Sequence, residues 1–209
     1  GVSPEPEPKD IVKRIKKIVE GFPNSENVPL IGRLINFIAT KWVFWVDEEK
    51  EQFNPLLNLN WLPGIKDESK WFNAHEVYSI YSSFLFESQG NFLNVERKVQ
   101  QNANELFKFL GIESEPTPDL VVRHLLHSSL NRKPITQEVY VYLSRNIEDP
   151  AIEYLKDQKC LCLKTPNGDD EFFNPDQVFW EQHSFGKYRY RLSPEFGRFK
   201  NLFDKIGVK

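Results

Sequence analysis

The sequence predicts an α+β fold made of two tandem homologous units, each with helices, a β-hairpin and a closing helix. Three internal matches predict it. Residues 1–15, GVSPEPEPKDIVKRI, align without a gap on residues 111–125, GIESEPTPDLVVRHL. WFNAHEVY at 71–78 aligns on FFNPDQVF at 172–179, and LFKFLGI at 106–112 on LFDKIGV at 202–208. Each match is short, but all keep one order, and self-similarity at a long period marks a repeated structural unit. The alignment sets repeat unit 1 at residues 1–110 and unit 2 at 111–209, with Gly207 onward beginning a third.

Each unit opens on a Pro-rich lead, PEPEP or EPTP, which resists helix formation and pre-sets the first turn of the next element. A first helix then places Ile11, Ile15, Ile18 and Phe22 on its core stripe in unit 1, and Val121, Leu125 and Leu126 in unit 2. A second helix is expected over residues 30–49 and 136–156. The strand-like pieces LNLNWLPG, ending at Gly64, and KCLCLKTP, ending at Pro166, begin a hairpin and are followed by the polar spacers IKDES and NGDDE. Asn167-Gly168 in the second spacer is a tight-turn signal. Next, Asn73 or Asn174 precedes Ala or Pro and then acidic or amide residues, the pattern of a helix start. Asn caps a short turn there, and Trp71, Phe72, Val77 and Tyr78, or Phe172, Phe173, Val178 and Phe179, pin it to the hairpin. The closing helix stops at Gly111 or Gly207. The units differ in length, which places an insertion after the aromatic-Asn block.

The chain has 209 residues, enough to bury a core in one large or two small domains, and is 40% hydrophobic and 14% aromatic. A formal charge of −3 and a pI near 5.9 give no global attraction to nucleic acid or to an acidic membrane. Residues 28–46 approach the length of a membrane span, but Arg33, Asn36 and Lys41 interrupt them at intervals. Leu30, Leu34, Ile38 and Trp42, with Ile31, Ile35 and Trp45 beside them, read instead as a buried amphipathic helix. Cys160 and Cys162 alone build no disulfide framework, so a reducing compartment, the cytoplasm, is expected. The chain lacks Met and a basic, apolar leader, so a segment of a longer protein is expected.

The order LNLNWLPG, KWFNAHEVY, LFKFLGI, PTPDLVVRHLL resembles the long repeats of sacsin and sacsin-like proteins, and unit 2 carries it again in CLCLKTPNGDDEFFNPDQVFW and LSPEFGRFKNLFDKIGVK. Those are very large intracellular proteins in which a GHKL-type ATPase domain precedes extended α+β repeats. The resemblance implies a non-catalytic, chaperone-related scaffold that couples an ATPase elsewhere in the chain to a client or partner protein and contacts neighbouring domains. No Asp-x-Gly-x-Gly pattern of the ATPase domain occurs in this sequence. The resemblance therefore assigns no catalytic, cofactor-binding or metal-binding residue, and no cofactor.

The remaining candidate patterns carry little chemistry. Cys160 and Cys162 lack the second cysteine pair of a structural zinc site and read as residues of a buried strand. His124 and His127 share a helical spacing but have no carboxylate at the next turn. Ser82-Ser83 and Ser128-Ser129 lack a nucleophile-elbow context. The carboxylates occur as surface runs such as Asp47-Glu48-Glu49. KRIKK at 13–17 turns Ile15 to the core and Lys13, Arg14, Lys16 and Lys17 to solvent. In GKYRYRL at 186–192, Tyr188, Tyr190 and Leu192 alternate with Lys187, Arg189 and Arg191, a pattern that can hold single-stranded nucleic acid. A nucleic-acid-binding module within a larger ATPase-containing protein is therefore the alternative function. For a protein partner, Tyr78, Tyr81 and Phe84 are the candidate contacts.

Overall fold

Pro8 occupies the first position of helix α1 (Pro8–Val19), where its missing N–H and fixed φ suit a helix start. In the computed structural model, which describes residues 5–180 and 190–209, α1 buries Ile11, Val12 and Ile15. These join Ile31, Ile35 and Ile38 of α2 (Asn27–Lys41) in one core. Phe22, expected on the same stripe, is 81% exposed. Helix α1 ends at Val19 and Gly21 turns back onto the Ile18 carbonyl, so Phe22 leaves the helical period.

The second helix also stops early. Its continuation, Trp42 to Val46, is aromatic and β-branched, the residues that lose most side-chain freedom in a helix. A new helix, α3 (Asp47–Glu51), starts where Asp47, Glu48 and Glu49 meet the positive helix end. The Glu49 carboxylate accepts the Val46 N–H at 3.0 Å. The hairpin β1 (Leu62–Pro63) with β2 (Trp71–Phe72), then α4 (Arg97–Asn102) and α5 (Asn104–Leu110), complete unit 1.

Unit 2 continues with α6 (Pro118–Leu130) and α7 (Glu138–Arg145). Here Pro150 ends the expected long helix: Asp149 accepts the Ala151 N–H at 2.9 Å and starts a separate 3-10 turn, Pro150–Leu155. Hairpin β3 (Leu161–Lys164) with β4 (Asp170–Phe173) turns through Gly168 at φ +88. The parallel pair β5 (Val178–Phe179) and β6 (Tyr190–Arg191), a 3-10 run Pro194–Phe199 and α8 (Lys200–Ile206) close the unit.

The architecture is α+β, and the same hydrogen bonds recur in both units. Asn73 N–H donates to Glu76 Oε2 at 2.8 Å, and Asn174 N–H to Gln177 Oε1 at 3.1 Å, around short 3-10 turns. Trp61 N–H reaches the Phe72 carbonyl at 3.0 Å, as Cys160 N–H reaches that of Phe173 at 3.1 Å. The ladder thus sets Leu62 against Leu161 rather than against Lys164, where aligning the ends of the two strand-like pieces would put it. Leu93 N–H donates to Tyr78 and Leu192 N–H to Phe179, both at 2.9 Å.

The Gly111–Ile112 and Gly207–Val208 pairs close the unit they end, although the sequence alignment puts them at the start of the next. Both glycines are left-handed, at φ +77 and +109, and Ile112 and Val208 each donate back into the closing helix at 2.9 Å. The chain then pairs with the strand after the Asn turn: Ser79 N–H donates to Glu113 O at 2.9 Å, and Trp180 N–H to Lys209 O at 2.8 Å. Compact units accordingly comprise Gly1–Ser83 with Gly90–Glu115, and Phe84–Gln89 with Pro116–Lys209. In the latter, Phe86 is fully buried, Ser88 Oγ lies 2.8 Å from His124 Nδ1, and Glu87 pairs with Lys133 at 2.9 Å.

Two substitutions test these supports by urea unfolding. The buried Tyr140 hydroxyl donates to Cys160 O at 2.8 Å and accepts Cys162 N–H at 2.7 Å. Tyr140→Phe strands both peptide groups and is expected to destabilise unit 2 by roughly 2 kcal/mol or more. Arg132, just past α6, holds φ +52. Arg132→Gly is expected to stabilise the protein by about 1 kcal/mol, the strain of a left-handed side-chain-bearing residue.

Candidate functional site

Trp42 to Val46, the break between α2 and α3, alternates between core and solvent. Trp42 is buried and packs its ring 5.7 Å from Phe53 and 5.0 Å from Phe109. Trp45 sits half-buried with its ring 5.2 Å from Phe53. The side chains between and after them point outward: Val43 is 74% exposed, Phe44 75% and Val46 58%. Phe44 N–H bonds to the Lys41 carbonyl at 2.9 Å, and the Glu49 carboxylate fixes Val46. Two indoles thus pin a short turn whose three apolar residues face water. An exposed apolar turn of this kind is a candidate interaction surface. Apolar periodicity runs a helix through this turn, although W-V-F-W-V offers no polar face and D-E-E signals a fresh helix start.

The aromatic-Asn residues serve as packing. Trp71, Phe72, Val77, Val178 and Phe179 are buried, and Asn73, Tyr78, Phe172, Phe173 and Asn174 are half-buried. Asn73 also donates to the Leu57 carbonyl at 3.1 Å, tying the cap to the chain before the hairpin. Of the candidate protein contacts, Tyr81 is 64% and Phe84 44% exposed, while Tyr78 lies half-buried beside the Phe92 ring.

Lys187 and Arg189 lie outside the described residues. Arg191 is exposed on β6, Leu192 is buried, and Tyr190 is half-buried with its ring 4.5 Å from that of Phe173. The in–out alternation therefore holds over 190–192. Arg191 and Phe92 pair with the equivalent strand residues Phe179 and Tyr78, so unit 1 offers no basic counterpart. Lys13, Arg14, Lys16 and Lys17 are exposed along α1.

Burial pushes the Cys160 thiol up to about 12, and its Sγ donates to Leu155 O at 3.4 Å. Cys162 is raised by burial as well, so neither is a thiolate nucleophile at neutral pH. His124 is buried and His127 exposed on α6. Among the described residues, no group of three or more His, Cys, Asp or Glu is placed to hold a metal ion, and no helix is long and apolar enough to cross a membrane.

Compared with family models, curated proteins and solved structures, the chain matches none.

Burial lowers the His124 pKa, outweighing the opposing pull of Glu87. The unfolded chain then binds the proton more readily, so unit 2 holds its full stability above the ordinary histidine value and loses it as pH falls through the folded value. Urea unfolding between about pH 7.5 and about pH 5 is expected to show this decline, and His124→Gln to flatten it.

Proposed function

We propose that the chain is a non-catalytic interaction module of a larger, sacsin-like, chaperone-related ATPase protein, working in the cytoplasm. The observation that carries this reading is the turn in which buried Trp42 and half-buried Trp45 hold Val43, Phe44 and Val46 in water. A rigid apolar display loses little entropy on binding, which favours capture of a protein partner or a client's exposed apolar segment. The recurring closure of both units supports a tandem array that arose by duplication and spaces neighbouring domains. Two unpaired cysteines are compatible with a reducing compartment.

A photo-crosslinking amino acid at Phe44 in the full-length parent protein tests the reading. Protein adducts are expected at Phe44, to be lost when Val43 and Val46 become Asp, and to be absent when the probe sits at Glu51. Equal labelling at Phe44 and Glu51, or no labelling at either, overturns it. The same protein segment is expected to take up no ATP by calorimetry and to show no salt-sensitive binding of oligothymidine. Salt-sensitive binding lost in Arg191→Glu would favour the nucleic-acid reading instead.

A further inference from the structure

Leu85 and Phe86, in the strap Phe84–Gln89, are buried in the compact body that resumes at Pro116. The strap runs beside α6: Ser88 Oγ lies 2.8 Å from His124 Nδ1, and Glu87 pairs at 2.9 Å with Lys133, just past the end of the helix. One segment thus covers a face of the first helix of unit 2.

Unit 1 repeats this helix and leaves the face open. The gapless alignment of residues 1–15 on 111–125 makes Arg14 the counterpart of His124, Asp10 that of Leu120 and Pro6 that of Pro116. Asp10 and Arg14, four residues apart, share one face of α1, as Leu120 and His124 share one of α6. On the core side the two helices agree: Ile11, Val12 and Ile15 are buried, like Val121, Val122 and Leu125. On the other face they differ. Pro116 and His124 are buried and Leu120 is half-buried, whereas Pro6, Asp10 and Arg14 are all exposed. These three residues line a groove of about 420 Å³ between α1 and α2, with Leu30, Leu34 and Phe37 as its apolar wall. Asp10, Arg14 and Arg33 bring both signs to it, so charge does not name the occupant. The covered face of unit 2 does.

We propose that this groove seats the strap of a neighbouring repeat unit of the same protein, a short segment with two adjacent apolar side chains and then a hydroxyl residue, as in Leu85, Phe86 and Ser88. The apolar pair packs on Leu34 and Phe37. The Arg14 guanidinium has only donors, so it takes the hydroxyl oxygen at the place where His124 meets Ser88. The proposal rests on the tandem-array reading and names the contact by which one unit would hold the next. It uses a surface separate from the turn at Phe44.

The probe is a synthetic peptide of residues 82–91, which contains the strap of this chain, titrated into the whole ¹⁵N-labelled chain. Shifts are expected at Asp10, Arg14, Leu34 and Phe37. Arg14→Glu is expected to weaken binding by at least about tenfold. The double substitution Asp10→Leu with Arg14→His copies unit 2 into unit 1 and is expected to tighten it. Both positions are exposed, and an unchanged urea midpoint checks that each variant keeps its fold. A peptide carrying Leu85→Ser and Phe86→Ser is expected not to bind. Shifts confined to residues around His124, no shifts at all, equal binding of the serine peptide, or a double variant that binds no tighter overturns the proposal. Persistent crosslinking at Phe44 alongside any of these results would show that this surface alone had failed, not the interaction-module reading.

Discussion

Very short strands leave peptide groups without partners, and this protein depends on buried side chains to satisfy them. β1 and β2 pair over two residues each, so the chain around them enters the core with most of its N–H and C=O groups outside any ladder. In unit 1 the buried Gln100 amide donates to Leu93 O at 3.1 Å and Val95 O at 2.7 Å, and its oxygen accepts Ile80 N–H at 2.9 Å. One amide therefore ties α4 to two other segments, around Ile80 and at 93–95. In unit 2 the Tyr140 hydroxyl performs the same service at the start of β3. A long sheet would need neither residue.

The indoles extend this logic to the loops. Trp61 donates to Leu56 O at 3.2 Å and Trp71 to Gly21 O at 2.7 Å, while both rings fill the core. An aromatic with a polar handle can bury area and satisfy a carbonyl together. That combination explains how a chain rich in irregular backbone still encloses Phe53, Trp61 and Phe86 completely. Trp42 and Trp45 stabilise their turn by ring packing against Phe53.

Local rules were legible in the sequence and long-range ones were not. The Asn73 cap, the helix start at Asn174, where the Gln177 side chain accepts the backbone N–H, the Asn-Gly turn and the glycine stops at 111 and 207 each depend on a few consecutive residues, and each stands where the sequence put it. The early end of α2 turned on a competition between helix continuation and a fresh acidic start, which periodicity alone does not weigh. Hairpin register depended on hydrogen bonds between residues far apart in sequence. The apolar turn at 43–46 escaped because buried Trp and exposed Phe look alike in a hydropathy pattern.

The segment Phe84–Gln89 makes sequence order and structural membership disagree. It is flanked on both sides by residues of unit 1 yet belongs to the compact body that resumes at Pro116. Residues 116–209 expressed alone would lack Phe86 from their core and leave the His124 ring without its serine. Cutting the chain at the boundary that the sequence alignment suggests would therefore part Phe84–Gln89 from the compact body to which they belong.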